Sequence, residues 1–188
     1  MRTAGWVLAG GASSRMGTDK AFLNFEGRTL VEIAANAVRE AAGSATIVGR
    51  PDAFRELGVA AIPDLREGAG PLGGIEAVLK SSDAEWNLVV ACDMPRLRTE
   101  VLRSILERGL EDGDAVAVLP EVQPGFPEPL CAAYHIRCLP AITAALDRGI
   151  RKVTAGLPEQ GVRTLRITDG QVFQNLNTPE EWRLAQDH

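Results

Sequence analysis

Short apolar runs alternate along the chain with longer segments in which apolar residues recur every three or four positions. Runs of the first kind predict β-strands, and segments of the second kind predict amphipathic helices. The predicted strands are residues 5–8, 45–48, 59–62, 86–92, 115–119, 129–134, 162–167 and 172–173. The predicted helices are residues 30–42, 75–81, 99–109 and 136–148, with a last helix that begins at Thr178.

This alternation of strands and helices is typical of an α/β protein. The run 86–92 contains almost no polar alternation, which predicts a strand buried on both faces of a parallel sheet. No linker, internal repeat or low-complexity segment interrupts the pattern. We therefore expect one domain over residues 1–188, built as a three-layer α/β sandwich with a mostly parallel sheet.

Composition narrows the class of protein. Hydrophobic residues make up 45% of the chain, charged residues 24%, and the formal net charge is -5. This balance is that of an ordinary globular protein and argues against broad nucleic-acid or membrane binding. The three cysteines are spaced unlike a zinc motif, and no apolar run resembles a secretory or membrane segment. We expect a soluble cytoplasmic protein with free thiols.

A glycine-rich basic loop follows the first predicted strand. Residues 8–20 have the sequence LAGGASSRMGTDK. Glycines let the backbone approach a ligand closely, and its N–H groups can form an anion-binding concavity. Arg15 and Lys20 add positive charges that grip phosphate oxygens. The loop therefore predicts a triphosphate cradle, with an ordinary flexible turn as the alternative.

Two familiar phosphate loops do not fit this segment. Five residues separate Gly11 from Gly17, whereas the P-loop requires four and a lysine after the second glycine. Gly10 and Gly11 are adjacent, which excludes the dinucleotide-binding fingerprint. Neither of the two standard phosphate-binding fingerprints therefore describes this loop.

Acidic residues follow two other predicted strands. Asp64 comes after residues 59–62 and precedes the glycine-rich segment 68–74, and Asp93 comes after 86–92. Parallel strands gather their carboxyl ends at one edge, where ligands bind. Asp93 is the metal candidate, since Mg²⁺ takes one or two carboxylates together with phosphates. The alternatives are a turn aspartate at Asp93 and, at Asp64, a loop cap, a ribose or base contact or a solvated acid.

Polar residues near the end of the chain form a further candidate element. Asn175 and Asn177 flank Leu176, so in extended backbone their side chains point to the same side. They are candidates to donate amides to a metal-bound oxygen or to a substrate phosphate. The alternative is that Asn177 only precedes a helix capped by Thr178. Glu128 is either a substrate-side element or an exposed loop acid.

Taken together, these motifs resemble the molybdenum cofactor guanylyltransferases. The sequences LAGGASSRMGTDK, GPLGGI, CDMP, EPLCAAY and NLNTPEE occur in the family's order from Leu8 to Glu181. The first motif is shared with many nucleotidyltransferases, whereas the last one favours the molybdenum cofactor guanylyltransferases among them. The resemblance implies a Rossmann-like fold of the nucleotide-diphospho-sugar-transferase type.

The resemblance also implies a reaction and its participants. GMP would be transferred from GTP to the phosphate of molybdenum-bearing molybdopterin, with release of pyrophosphate and with Mg²⁺ as cofactor. Transient contact with molybdenum-insertion proteins or target molybdoenzymes would follow. The matching nucleotide-contacting positions are Leu8, Ala9, Gly10, Gly11, Lys20, Asp64 and Asp93, with Mg²⁺ at Asp93 and the pterin side at Asn175 and Asn177.

The reaction would be an in-line attack of a substrate phosphate oxygen on the α-phosphorus. That nucleophile is already anionic, so no general base is needed, in keeping with the two histidines of the chain. Arg15 and Lys20 would hold the triphosphate and stabilise the leaving pyrophosphate, with Asp93 as the metal ligand.

One position departs from the family pattern. Relatives often carry an asparagine after the second strand that helps hold the nucleotide, and this chain has Gly49 there. A molybdopterin cytidylyltransferase or a sugar-phosphate nucleotidyltransferase therefore remains an alternative. A nucleotide-binding module without catalysis is a further one.

Overall fold

The structure is a computed structural model that describes residues 1–10 and 19–176 of the chain. A central sheet lies between two layers of helices. The strands are β1 (Thr3–Leu8), β2 (Asn24–Phe25), β3 (Arg28–Thr29), β4 (Thr46–Val48), β5 (Ala60–Ile62), β6 (Trp86–Ala91), β7 (Ala117–Gln123), β8 (Phe126–Pro127), β9 (Cys131–His135) and β10 (Val162–Arg166). The α-helices are α1 (Leu30–Ala42), α2 (Gly70–Ser81), α3 (Thr99–Glu111) and α4 (Leu139–Asp147).

The central sheet is mostly parallel, as the sequence predicts. Its order is β10-β7-β9-β6-β1-β4-β5, with β8 paired to β7 outside that path. β6, β1, β4 and β5 pair in parallel, and β10 is parallel to β7. β9 is antiparallel to both of its neighbours, and β2 and β3 form a separate two-stranded sheet. The carboxyl ends of β1, β4, β5 and β6 therefore meet at one edge.

Each face of the sheet has its own apolar core. Alternate side chains of β1 point to opposite faces of the sheet, so Val7 belongs to one core, and Trp6 and Leu8 belong to the other. α1 and α3 pack together on the Val7 side, whereas α2 and α4 pack together on the opposite side. β6 is buried along its whole length. The three-layer α/β sandwich is confirmed. Within residues 1–10 and 19–176, no helix is long and apolar enough to cross a membrane.

Helix α1 has the bounds that its sequence predicts. Thr29 is the N-cap, and it exchanges hydrogen bonds with Glu32 in a capping box. Gly43 ends the helix with φ 82°, a left-handed conformation that favours glycine. Local capping chemistry alone therefore defines both ends of this helix.

Other predicted elements need correction. α2 begins at Gly70, not at residue 75, because Pro71 in the first turn needs no N–H partner and suits a helix start. Residues 172–173 were predicted as a strand and instead lie in a 3-10 helix, Gly170–Phe173, whose N-cap is Asp169. The predicted helix 136–148 begins with a separate 3-10 turn before α4. The helix predicted from Thr178 lies outside the described residues.

A buried carboxylate joins the two helices on the α2 side of the sheet. Glu76 of α2 has no exposed surface, and it accepts hydrogen bonds from Arg66 at 2.7 and 3.1 Å and from Thr143 at 2.9 Å. Lys80 forms an ion pair with it at 2.9 Å. Burial raises the pKa of Glu76, but the hydrogen bonds from Arg66, Lys80 and Thr143 outweigh that effect and lower the pKa to about 2.

We predict that Glu76→Gln destabilises the fold by about 3 kcal/mol at neutral pH, because it leaves its cationic partners without their buried anion. A carboxylate whose folded pKa is depressed stabilises the fold above its unfolded pKa of 4.5, and that stabilisation is lost as the pH falls toward about 2. The difference between wild type and variant in denaturant unfolding should therefore shrink below pH 4.5.

Glu107→Gln is the matched control, since Glu107 is an exposed acid of α3. It should change the free energy of unfolding by less than about 0.5 kcal/mol. Equal stability of the Glu76 and Glu107 variants at neutral pH would contradict this account of the buried network.

Candidate active site

Backbone hydrogen bonds bring the ends of four strands, β1, β4, β5 and β6, together at one edge of the sheet. Just beyond β1, the N–H of Ala9 donates to Val48 at 2.9 Å. The N–H of Cys92 donates to Leu8 at 3.2 Å, and that of Gly49 donates to Ile62 at 2.9 Å. The segments that follow β1, β4 and β6 are therefore held side by side. Ala9, Gly10, Gly49 and Asp93 all lie along this edge.

A lysine and an aspartate from distant parts of the sequence form an ion pair there. Lys20 Nζ lies 3.3 Å from Asp93 Oδ2, and the two side chains are 17% and 23% exposed. Screening by water is weaker at such partly buried positions, so this pair is stronger than one on the open surface. The structure thus joins the basic end of the glycine-rich loop to the candidate metal ligand.

Local capping positions Lys20. It begins the 3-10 helix Lys20–Phe22, whose N-cap Asp19 accepts a hydrogen bond from the N–H of Ala21 at 3.2 Å. The Asp19 carboxylate also pairs with Arg50, which follows Gly49 after β4. Sequence reasoning missed the roles of Asp19 and Arg50. An aspartate directly before a lysine was the available signal for the cap, but nothing in the sequence indicated the partner.

Asp93 and Asn175 carry polar atoms that are available to a ligand. Asp93 Oδ1 and Asn175 Oδ1 are buried and have no hydrogen-bond partner within the described part of the chain. The N–H of Leu176 donates to the backbone carbonyl oxygen of Asp93 at 3.1 Å, so the two residues lie on touching segments. Carboxylate and amide oxygens are the kind of ligands that hard divalent cations take.

Gly10 and Asp64 approach each other closely at the other end of the site. A Cβ atom on Gly10 would lie 2.5 Å from Asp64 Oδ2, so a side chain there would require the Asp64 carboxylate to move. A Cβ on Gly74 of α2 would lie 3.8 Å from Asp64 Oδ1 and 3.1 Å from Leu8 Cδ2. Partial burial raises the pKa of the Asp64 carboxyl. The two glycines therefore leave this carboxylate room beside the end of β1.

The structure gives a physical reason for glycine at position 49. A Cβ there would lie 3.0 Å from Phe54 Cε2, 3.3 Å from the carbonyl carbon of Ala9 and 3.4 Å from its oxygen. Phe54 is fully buried, and its ring stacks on Phe22 at a centroid distance of 5.3 Å. The close approach of Gly49 to Phe54 therefore supports the short helix that begins at Lys20.

The remaining candidate residues are placed as follows. Gly11, Arg15 and Asn177 lie outside the described residues. Glu128 lies three residues before β9, which is antiparallel and so begins at the same edge as the other site residues. The N–H of Glu128 donates to Pro120 at 2.8 Å, and burial raises the pKa of its carboxyl.

Histidine and cysteine chemistry does not belong to this edge. His135 pairs with Trp86, the first residue of β6, and therefore lies at the opposite edge of the sheet. Cys92, Cys131 and Cys138 are free and buried, as expected. Burial, with the nearby Asp93 charge second, raises the pKa of Cys92 to about 12. The thiol beside the site therefore stays protonated at neutral pH and is a poor nucleophile.

Comparison with known sequences gives a consistent result. A sequence-family model described as a MobA-like NTP transferase domain matches residues 5–163. A probable molybdenum cofactor guanylyltransferase from a Nostoc species is 36% identical over 96% of this chain and 88% of its own length. A molybdenum cofactor guanylyltransferase from Vibrio campbellii is 32% identical over 96% of this chain and 93% of its own.

Solved structures show the same fold. Molybdopterin-guanine dinucleotide biosynthesis protein A from Archaeoglobus fulgidus superposes with a TM-score of 0.82 at 27% identity, over 98% of this chain and 97% of that one. A 2-C-methyl-D-erythritol 4-phosphate cytidylyltransferase from Thermus thermophilus superposes with a TM-score of 0.71 at 19% identity, over 97% of this chain and 96% of that one. The second likeness shows the fold alone.

We predict that Gly49→Asn, which introduces the asparagine found in relatives, destabilises this chain by about 1–3 kcal/mol, because the new Cβ overpacks against Phe54 and Ala9. The melting temperature should fall by about 2–4 °C for each kcal/mol in a chain of this size. Thermal unfolding followed by circular dichroism measures the effect.

Gly113→Asn serves as the control, since a Cβ on Gly113 meets nothing within 4 Å among the described residues. Its melting temperature should stay close to that of the wild type. A Gly49 variant as stable as the Gly113 variant would show that position 49 has room for a side chain after all.

Proposed function

The chain belongs to the family of MobA-like NTP transferases, and on that premise we propose that it transfers GMP from GTP to the phosphate of molybdenum-bearing molybdopterin, releasing pyrophosphate. It is a nucleotidyltransferase by family. The single structural observation that supports the reaction is the Lys20–Asp93 ion pair beside the Ala9-Gly10 turn. It puts a cation and a metal-ligand candidate where a triphosphate would meet the backbone.

Lys20 is suited to binding phosphate without losing Asp93. An ammonium group has three N–H donors, so one can stay on the carboxylate while others reach phosphate oxygens. Its charge would stabilise the pyrophosphate as the bond to the α-phosphorus breaks. Arg15 would add a second charge in the same role. The Leu8-Ala9-Gly10-Gly11 backbone would line the triphosphate.

No side chain has to remove a proton from the nucleophile. A phosphate monoester is already anionic near neutral pH, so its oxygen can attack the α-phosphorus directly. A reaction without a general base agrees with the position of His135 at the other edge of the sheet and with the protonated thiol of Cys92. Catalysis would then come from alignment of the two phosphates and from charge stabilisation.

Asp64 supports a preference for guanine. Guanine offers adjacent N–H donors on its Watson–Crick edge, and a carboxylate can accept both, whereas cytosine offers only its amino group there. A Cβ on Gly10 would lie 2.5 Å from Asp64 Oδ2 and one on Gly74 would lie 3.8 Å from Oδ1, so glycine at both positions gives this carboxylate its place beside the end of β1. A cytidylyltransferase is the second candidate, because Gly49 lacks the amide that relatives often have.

Nucleotidyltransferases of this family generally use a divalent metal, and the residues present fit one. We propose Mg²⁺, with Asp93 as its ligand through the buried Oδ1 that has no partner among residues 1–10 and 19–176. Within those residues no cluster of three His, Cys, Asp or Glu side chains could hold a metal, so phosphate oxygens would complete the shell. Bound there, Mg²⁺ would neutralise charge on the phosphates. Cytoplasmic location and transient contact with molybdenum-insertion proteins or target molybdoenzymes are part of the same proposal.

We predict that Asp93→Asn lowers kcat/KM for pyrophosphate release from GTP and molybdopterin by about 10²–10³, the usual loss when a charge-stabilising group is removed. The variant keeps the size of the side chain, so its circular dichroism spectrum should match the wild type, while loss of the charge that pairs with Lys20 should lower the unfolding midpoint slightly. A coupled pyrophosphate assay over a range of Mg²⁺ concentrations measures the effect.

Asp114→Asn is the matched control, because Asp114 is exposed and precedes β7 at the opposite edge of the sheet. It should retain wild-type turnover. An Asp93 variant with the wild-type rate and Mg²⁺ dependence would remove Asp93 from the proposed machinery. Release of pyrophosphate from CTP but not GTP in the same assay would favour the cytidylyltransferase instead.

A further inference from the structure

Two carboxylates flank Asp93 on opposite sides along the edge of the sheet. The strand order places β4 and β5 on one side of β6 and β1, and β9 and β7 on the other side. Asp64 follows β5, whereas Glu128 precedes β9. Partial burial raises the pKa of both carboxyls. A ligand that donates hydrogen bonds to either carboxylate would offset that cost.

Backbone hydrogen bonds hold Glu128 close to the end of β6. The N–H of Ala91 donates to the carbonyl oxygen of Leu130 at 2.7 Å, and Asp93 comes two residues after Ala91. The N–H of Cys131 donates to the carbonyl oxygen of Glu128 at 3.2 Å. The Glu128 carboxylate itself accepts no hydrogen bond from the described residues, and burial alone shifts its pKa. It is therefore a fixed acceptor that the fold does not use.

An exposed aromatic ring stands on the same hairpin as Glu128. Phe126 in β8 is 71% exposed, directly after the turn residue Gly125, whose N–H donates to Glu121 at 3.2 Å. The N–H of Glu128 donates to Pro120, which prolongs the pairing of β8 with β7. Residues two apart in extended backbone project their side chains to the same side. Phe126 and Glu128 therefore face a common space.

The strand register brings this hairpin to about the height of Asp93. β6 and β7 both pair with Ala133 of β9, through Leu88 and Val118 respectively. Five residues further along each strand direction are Asp93 on one side and the pairing partner of Phe126 on the other. The aromatic ring and the Glu128 carboxylate thus border the site from the β7 side.

The chemistry of these two groups defines what they recognise. A carboxylate accepts two adjacent N–H donors, such as a ring N–H next to an amino group. An aromatic ring stacks on the face of a planar heterocycle and is indifferent to its substituents. Guanine and pterin both offer the amino-lactam donor pair on a planar ring. Both are rings of the substrates in the proposed reaction.

The arrangement of the strands decides between the two rings. The reaction brings the phosphates of both substrates together at Asp93, so the rings extend from it in different directions. Asp64 lies against Gly10 of the nucleotide turn, which places guanine on the β5 side. The β7 side is left for the other substrate.

We propose that Glu128 binds the amino-lactam edge of the pterin ring and that Phe126 stacks on its face. The two residues then determine which acceptor substrate is used, as Asp64 does for the nucleotide. The proposal rests on the proposed function, and it concerns the pterin ring rather than its phosphate.

Two pairs of ligands that differ by one amino group test the assignment. 6-Hydroxymethylpterin phosphate is compared with the lumazine phosphate that has a carbonyl in place of the amino group, and GTP is compared with ITP. Calorimetric titrations use Mg²⁺, and those of the pteridines add a GTP analogue with a methylene group between the α- and β-phosphates. The wild type should prefer pterin over lumazine about tenfold or more, the usual effect of a hydrogen bond to a charged group.

Glu128→Gln should lose most of the preference for pterin and keep the preference for GTP over ITP. Glu159→Gln is the matched control, because Glu159 is exposed and precedes β10 at the opposite edge of the sheet. It should keep both preferences. A Glu128 variant that retains the full pterin preference, or that loses the GTP preference instead, would overturn the assignment.

Phe126 should act on both pteridines alike, because stacking does not depend on the amino group. Phe126→Ala should weaken binding of the pterin and lumazine phosphates by about fivefold or more, and Phe126→Trp should restore it. In turnover with molybdopterin, both Glu128→Gln and Phe126→Ala should raise KM for the pterin and leave KM for GTP unchanged. Wild-type pteridine affinity in Phe126→Ala would remove this ring from the site.

Pyrophosphate release by the wild type, measured in parallel, separates this proposal from the proposed function. If the wild type transfers GMP but Glu128→Gln keeps its pterin preference, only the role of Glu128 fails. If the wild type prefers pterin through Glu128 but releases no pyrophosphate from any nucleotide, the proposed reaction fails and the ring contact stands.

Discussion

The Asp93 carboxylate is the constraint on which the site depends. It stands at the end of β6, a strand buried along its whole length, and a charge at such a place needs a partner. Lys20 supplies one for Oδ2, while Oδ1 stays available within the described residues. The fold therefore places a cation beside one oxygen of the carboxylate and leaves the other oxygen to a ligand.

Two supporting contacts bring residues from distant segments to that carboxylate. On one side, Gly49 packs on Phe54, whose ring stacks on Phe22 in the short helix that begins at Lys20. On the other side, the Leu176 backbone bonds to Asp93 and positions the preceding asparagine. Both supports are apolar packing or backbone bonding, so neither of them uses the carboxylate of Asp93 or the side-chain amide of Asn175.

Those parts of the fold that depend on local chemistry, helix α1 and strand β6, were predictable from the sequence. Capping residues define α1, and an uninterrupted apolar run defines β6 as a buried parallel strand that carries Asp93 to the sheet edge. The Lys20–Asp93 pair was not predictable in the same way. The two residues are 73 positions apart, and the convergence of strand ends predicts a shared edge but not which side chains touch there. The start of α2 was missed because its glycines suit a loop and a tightly packed helix equally well.

The fate of labelled phosphate distinguishes transfer of GMP from the other reactions of GTP. The chain is incubated with Mg²⁺, molybdenum-bearing molybdopterin and GTP labelled at the α-phosphorus or at the γ-phosphorus. We expect the α-label to enter a pterin dinucleotide and the γ-label to leave in pyrophosphate. Retention of the α-label in GDP, or incorporation from labelled CTP but not from GTP, would contradict that expectation.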